Sequence, residues 1–304
     1  MTIRYLPCVA ETSLLGRHKK PLPRYRPESP THPPRWSHLS TWEDVAHVQV
    51  PQPRMFDAGW GQRWQVTFKH GLNTVTEAAA VVGMGDLLAA DPMLNNSWHR
   101  GKTSRAGLRH LTSTQGLHAH ASMFERKLLL ALDFQGTERV AAQPFTLTYE
   151  HEGATRFHTP DFLAWVDGTA TVINCRPAHL VTPRLIEDVS AIEALCLARG
   201  WRSALCVGFS PTAYAAIDAW GAHCNAVDTL GYCEDILDRL EDNGPTSFAE
   251  LASGFEASSV ARAAIQMLLW DREATVDLNA PFDDDTLIHA PAHIPPRSGV
   301  QDPA

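Results

Sequence analysis

The chain has 304 residues, 44% of them hydrophobic, and a formal net charge of −8. That length and apolar content leave room for one large or two ordinary domains with a sizeable core. No run of about 18 apolar residues is present to span a membrane, and the acidic total does not mark the chain as a whole as a nucleic-acid binder. The N-terminus has no apolar h-region followed by a small-residue cleavage site, so a cytoplasmic protein without a membrane partner is expected. Six cysteines (Cys8, Cys175, Cys196, Cys206, Cys224, Cys233) show no CxxC spacing and read as reduced thiols.

The charge is uneven. Residues 1–40 carry Arg4, Arg17, Lys19, Lys20, Arg24, Arg26 and Arg35 against Glu11 and Glu28, a local balance of +5 that leaves −13 for the rest. Residues 1–54 also hold nine of the 21 prolines. Such a segment favours extended, poorly packed backbone, so a Pro-rich basic arm, disordered on its own, is expected. It either meets phosphate or is a solvated tail.

In residues 55–110 a strand is expected at Trp64–Phe68 and helical composition runs from Thr76 to Ala90. Leu94–His110 is polar and basic, with Arg100, Lys102, Arg105 and Arg109 as a second candidate for phosphate contact beside the solvated-loop reading. Ser122–Phe134 reads as a helix. Ser122 and Glu125 have capping-box spacing, yet Ala121, Glu125, Leu128, Leu129 and Leu132 form one apolar stripe. Glu125 is therefore either a cap or a carboxylate on the buried face, where it needs a partner charge or a metal.

Val140–Thr148 is the next expected strand. Phe162–Val166 and Thr169–Cys175 follow, joined by Asp167-Gly168. An Asp-Gly pair between β-rich runs is a strong hairpin signal. A two-residue loop would set Val166 against Thr169 and, counting back, Asp161 against Asn174. Asn174 and Arg176 are two apart and share a face. Arg184–Ala198 then reads as a helix stopped by Gly200, and Arg202–Phe209 as a buried strand. Strand, helix, strand implies a parallel crossover. The order helix, strand, hairpin, helix, strand makes a mixed α/β sheet flanked by helices.

Pro211–Trp220 and Thr229–Leu240 read as helices, and Asn243-Gly244-Pro245 breaks the chain. Ser247–Ser253 and Ser258–Trp270, the second with a Ser cap, followed by short strands at Thr275–Leu278 and Thr286–His289, suggest a winged helix. The expected domains are 1–54 (arm), 55–242 (core), 243–290 (winged helix) and 291–304 (disordered tail).

The run Ser122–Arg126, Leu129–Phe134, Gln143-Pro144, His158–Phe162 and Val172–Pro177 resembles TnsA-like endonuclease subunits of heteromeric transposases, within the PD-(D/E)xK nuclease superfamily. The likeness continues through Leu268-Leu269-Trp270 and Val276-Asp277-Leu278 and covers roughly residues 105–290. It implies a restriction-endonuclease-like core followed by a C-terminal winged helix. It implies a nuclease that nicks transposon ends, a DDE-type transposase that cuts and joins the other strand, and an ATP-dependent transposition regulator as a further partner. Mg²⁺ or Mn²⁺ is the implied cofactor. Glu125 and Asp161 match the carboxylates, Asn174 stands at the place of the second metal ligand, and Arg176 at that of the lysine. Gln143 matches the Gln-Pro step, with a structural or DNA-facing role beside Arg105 and Arg109.

The departures bear on chemistry. Asn174 takes away one negative charge, and Arg176 cannot act as a base because its pKa exceeds about 12. It can still steady a phosphate, leaving water activation to the metal or to Glu125. The alternative is a catalytically weakened or inactive adaptor that bridges DNA and transposase. Two other clusters are weighed. His118 and His120 lack the i, i+4 spacing of helical zinc sites, and Asp283–Asp285 lack the Gly and Glu of a calcium loop. The acidic wing, with only Arg262 on the helix before it, favours a protein-binding role for the winged helix.

Overall fold

The computed structural model describes residues 3–4, 40–43, 59–94, 105–151, 153–166 and 168–290, with backbone alone for the first two stretches and for Val166. The first strands are β1 (Ile3–Arg4) and β2 (Ser40–Glu43), then α1 (Trp60–Arg63), β3 (Gln65–His70), β4 (Asn73–Ala78) and α2 (Met84–Leu88). Next come β5 (Gly107–Leu111), β6 (Gly116–His120), α3 (Met123–Phe134), β7 (Arg139–Ala142), β8 (Thr146–His151) and β9 (Ala154–His158). The hairpin β10 (Phe162–Val166) and β11 (Thr169–Cys175) leads into α4 (Pro183–Arg199), β12 (Arg202–Phe209) and α5 (Pro211–Trp220). The remainder is α6 (Tyr232–Asn243), β13 (Thr246–Ser247), α7 (Phe248–Ser253), α8 (Ser258–Trp270) and β14 (Leu287–Ile288). The fold is mixed α/β, with antiparallel sheets flanked by helices.

The largest sheet runs β1-β2-β12-β11-β10-β7, and a four-stranded one runs β4-β3-β8-β9. Val166 pairs with Thr169 and Phe162 with Ile173, as a two-residue connection requires. Gly168 takes φ 70°, the left-handed backbone such a turn needs. β11 and β12 are parallel, and α4 makes the crossover between them. A helix forms there because Thr182 caps it by accepting the Leu185 N–H at 3.2 Å and Pro183 fits its first turn. It stops because Gly200 turns left-handed (φ 69°) and the Trp201 N–H returns to the Cys196 carbonyl at 2.8 Å.

Side chains alternate across β10 and β11. Phe162, Ala164 and Ile173 join Leu128, Leu129 and Leu132 of α3 in one core. Leu163, Ala170 and Val172 join Ala191, Ile192 and Leu195 of α4 in the other, together with Val66, Phe68 and Leu147 of the four-stranded sheet. Each fully buried leucine contributes roughly 1.5–3 kcal/mol. The site residues thus stand at the end of a strand pair dried on both faces.

Several expectations change. Thr76–Ala90 is not one helix: the β-branched run Thr74-Val75-Thr76 continues as β4 against β3, and only Met84–Leu88 is helical. Val140–Thr148 is two strands in different sheets, β7 and β8. Gln143 is left-handed (φ 47°) and Pro144 has no N–H, so the ladder cannot pass them. Of the expected arm, Ile3–Arg4 forms an edge strand, and Ser40–Glu43 lies between it and β12, paired with both. The rest of the arm, Arg100 and Lys102, and the tail 291–304 lie outside the described residues.

The described residues group into two compact units, the first ending at Asp218 and the second starting at Ala219. In the second unit α6 and α7 pack on α8, with Ile236, Leu240, Leu251, Ile265, Leu268 and Trp270 buried. The first residue of α8 is Ser258, which does not cap it; the N-cap is Ala257, with no side-chain bond. β13 pairs with β14, while Thr275 makes only a bridge to His289 and Thr275–Leu278 is not a strand. Among the described residues no helix is long and apolar enough to cross a membrane.

Gly200→Ala places a Cβ in left-handed backbone, which costs about 1–2 kcal/mol. We expect a lower urea midpoint with an unchanged slope, measured on the whole chain. An unchanged midpoint would mean that α4 does not end in this conformation.

Candidate active site

Glu125 satisfies both readings of its position. Its backbone N–H donates to Ser122 Oγ at 3.2 Å, while Oε1 accepts from the Ser122 hydroxyl at 2.8 Å and Oε2 from the Ala121 N–H at 2.7 Å. This is a capping box shifted back by one residue. The side chain is also buried, 7% exposed, beside the α3 leucines. The cap fixes the carboxylate in place.

Asp161 stands just before β10, clamped by its own backbone. Its N–H donates to the Ile173 carbonyl at 3.1 Å, and its carbonyl accepts from the Gln143 N–H at 2.8 Å. Its Oδ2 accepts from the Cys175 N–H at 2.6 Å. Burial raises its pKa from 3.8 to about 8; the Glu125 charge adds to the rise, and the Cys175 N–H and Arg176 oppose it. The Cys175 thiol is pushed up by burial and then by Asp161, Cys206 and Glu125. Glu125 and Asp161 are therefore brought into one electrostatic neighbourhood, with Cys175 inside it.

Asn174 lies one ladder step beyond the Phe162–Ile173 pair, across from Asp161. It follows Val172 on the α4 side of the strand and is 2% exposed. Its Oδ1 is 2.7 Å from His158 Nε2, and its Nδ2 is buried with no hydrogen-bond partner. His158 Nδ1 lies 3.9 Å from Asp188 Oδ2 on α4. Asp188 accepts from the Tyr149 hydroxyl at 2.5 Å, and Arg184 Nε lies 3.2 Å from each of its oxygens. Sequence reasoning placed His158 inside a motif without a role and missed Tyr149, Arg184 and Asp188. These residues come from separate elements, so no spacing links them.

Arg176 is exposed, its N–H bound to the Cys206 carbonyl at 2.9 Å, and its charge acts on Asp161. Gln143 is 2% exposed, and its backbone bridges Asp161 and the Met93 N–H (2.9 Å). That gives it a structural role. Arg105 is exposed. Arg109 is partly buried beside Arg126, Asp133, Tyr214 and Asp218; burial and then Arg126 lower its pKa. The two histidines go separate ways, His118 to Thr114 Oγ1 at 2.7 Å and His120 to the Ser122 carbonyl at 3.1 Å.

The chain matches no family model and no curated protein. Its site must be judged on chemistry. Two carboxylates in one neighbourhood, one with its pKa raised by burial and then by the other's charge, are what a divalent cation relieves. Their hard oxygens suit Mg²⁺ or Mn²⁺, and Mg²⁺ keeps several waters of its own. Among the described residues no group of three or more His, Cys, Asp or Glu could hold a metal. Asn174, where the resemblance implies a third ligand, stands on the α4 side of β11, and its oxygen bonds His158.

Asp161 binds its proton more tightly folded than unfolded, so stability falls as pH rises from about 4 to about 8 and the cost is complete above that. Asp161→Asn should therefore stabilise the metal-free protein increasingly across this window and then level off. At pH 8 a gain of at least about 1 kcal/mol, roughly one pKa unit, is expected from denaturant titrations. A pH-independent difference would contradict the burial of this carboxyl.

Proposed function

We propose that the chain is the metal-dependent DNA endonuclease subunit of a heteromeric cut-and-paste transposase, with a restriction-endonuclease-like core and a C-terminal winged helix. The observation that carries the reading is that Glu125 lies near enough for its charge to raise the Asp161 pKa, at the end of a hairpin that also holds Asn174 and Arg176. The five motifs from Ser122 to Pro177 support it from the sequence side.

Glu125 and Asp161 would hold Mg²⁺ or Mn²⁺, with the Asn174 amide oxygen as the neutral third ligand. Such an ion polarises a phosphate and activates water. Glu125 is kept in place by its cap, and Asp161 by three backbone bonds. Arg176 stays charged at any working pH and is exposed, so it can reach a phosphate and steady the charge of the pentavalent state. It cannot take a proton from water. Arg105 and Arg109 would meet the DNA backbone, Arg105 more freely because it is exposed.

The winged-helix unit would bind protein. Its Arg262 is already paired with Asp284 at 2.6 Å, which leaves that wing little attraction for phosphate. The partners would be a DDE-type transposase and an ATP-dependent regulator. The adaptor alternative draws on the hydrogen bond between Asn174 Oδ1 and His158, which occupies an oxygen the cation needs.

The test combines the chain with its transposase and end-bearing DNA in Mg²⁺ or Mn²⁺. Asp161→Ala and Glu125→Ala should each lower strand nicking by at least about 100-fold, an electrostatic loss of roughly 2.7 kcal/mol. Nicking by Asp161→Ala at the original rate would sink the assignment. Separately, Asn174→Asp restores a charge and should tighten Mn²⁺ binding measured by calorimetry. Complexes that form normally yet never cleave in either metal would favour the adaptor.

A further inference from the structure

Glu125 is followed on α3 by two half-buried cations, Arg126 and Lys127. Lys127 and Phe124 are three apart and share a helix face. There Phe124 packs on Phe209 with ring centroids 4.8 Å apart, and Phe209 on Tyr214 at 5.8 Å. Lys127 Nζ lies over this aromatic shelf, 4.6 Å from the Tyr214 centroid and 5.9 Å from that of Phe209. The rings attract the ammonium through their faces and leave its charge in place. Arg109 reaches the same place from β5. Burial and then Asp218 raise the Tyr214 pKa, and Arg126 and Arg109 both oppose the rise. Burial and then Arg126 lower the Arg109 pKa, with Asp133, Tyr214 and Asp218 opposing. Little in the fold answers these charges. Among the described residues none of the three cations forms an ion pair, whereas Arg63, Arg184 and Arg262 each have a carboxylate. The Nε of Arg109 is buried with no hydrogen-bond partner. Asp133 already accepts from the Thr112 hydroxyl at 3.3 Å and the Ser113 N–H at 2.8 Å. Asp218 is exposed, where water and salt screen it.

We propose that Lys127, Arg126 and Arg109, set around the Tyr214 ring, form a phosphate-binding surface that grips the DNA backbone beside the cut. The choice of DNA as the occupant rests on the nuclease reading. With the scissile phosphate at Glu125 and Asp161, the next phosphates of that strand fall on adjoining surface, and Arg126 follows Glu125 directly. Lys127 is held by the rings before DNA arrives, so it loses little side-chain freedom on binding. Like charges gathered on one surface also raise the local concentration of an anion. The three residues bind and position; none touches the reacting atoms. Backbone contacts fix register and carry no sequence information. This surface therefore grips any duplex and leaves recognition of the ends to other groups.

Two measurements test it. The first follows binding of the full chain to end-bearing and scrambled duplexes by fluorescence anisotropy, in EDTA, across a range of NaCl. Each phosphate contact adds about 0.9 to the salt slope. Lys127→Ala and Arg126→Ala should each flatten the slope by about 1 and weaken both duplexes alike. Arg63→Ala, which removes an ion-paired arginine elsewhere, should leave the slope unchanged. An unchanged slope in Lys127→Ala overturns the proposal, as does an equal loss in Arg63→Ala or no binding of duplex at low salt. Unchanged DNA binding with loss of the transposase complex overturns it too, and makes the surface a protein contact. The second measurement needs no variant, so misfolding cannot obscure it. Acylation of lysines by an N-hydroxysuccinimide ester, read by mass spectrometry, should fall at Lys127 when duplex is bound; equal labelling overturns the proposal. Because EDTA removes cleavage from the readout, the two readings fail separately. Loss of nicking in Asp161→Ala with an unchanged slope in Lys127→Ala overturns this inference alone. Nicking by Asp161→Ala at the original rate, with a flattened slope in Lys127→Ala, overturns the nuclease site and leaves the DNA surface standing.

Discussion

The antiparallel pairing of β10 with β11 is the constraint on which the site depends. The two-residue connection sets Val166 against Thr169, and from that one pair the ladder counts back to Phe162 against Ile173. Asp161 and Asn174 then face each other, and the Asp161 carboxylate closes the ladder by taking the Cys175 N–H. A slip of one residue would carry every side chain to the other face. It would put Leu163 and Val172 among the α3 leucines and scatter the polar groups. Register is held from both sides because both faces are core. The fold and the site share one ladder and cannot be altered separately.

The same drying that fixes the register makes the charges costly. Burial, and then the Glu125 charge, disfavour the ionised form of Asp161. Local geometry offsets part of this. Glu125 is held by a cap and Asp161 by a backbone N–H, both of which favour the charged forms. The remainder is left for something positive. Arg176 already acts on Asp161 from the exposed side. On the proposed reading, a divalent cation beside this pair would favour the ionised form of Asp161.

The sequence made the short-range features legible. Asp167-Gly168 predicted the hairpin, Gly200 ends α4 as expected, and the apolar run Arg202–Phe209 became β12. These signals lie within a few residues of what they determine. Glu125 could not be assigned from spacing, because capping and burial use the same position, and in the structure it does both. The helix expected over Thr76–Ala90 failed because composition outweighed the β-branched run that pairs with β3. The break at Gln143 went unread because a left-handed glutamine has no sequence signature. The Tyr149–Asp188–His158–Asn174 chain was invisible for a deeper reason. Its members lie on four elements that only tertiary packing brings together.

On the nuclease reading, the two departures from the motif act in opposite directions on the same carboxylate pair. Asn174 removes a negative charge, which weakens the field that draws a cation. It also removes a third like charge, so that Asp161 and Glu125 ionise more easily than they would beside another carboxylate. Arg176 adds a positive charge that cannot be titrated away, where a lysine in a dry site could lose its proton. Its presence helps Asp161 to ionise and competes with the cation that Asp161 is meant to hold. The result is a site whose carboxylates are ready but whose pull on a metal is modest. Such a site gains most when a phosphate arrives, because the phosphate takes up the arginine and brings two negative oxygens of its own. Metal and DNA would then bind together far better than either alone, which places control of cutting with whatever delivers the DNA.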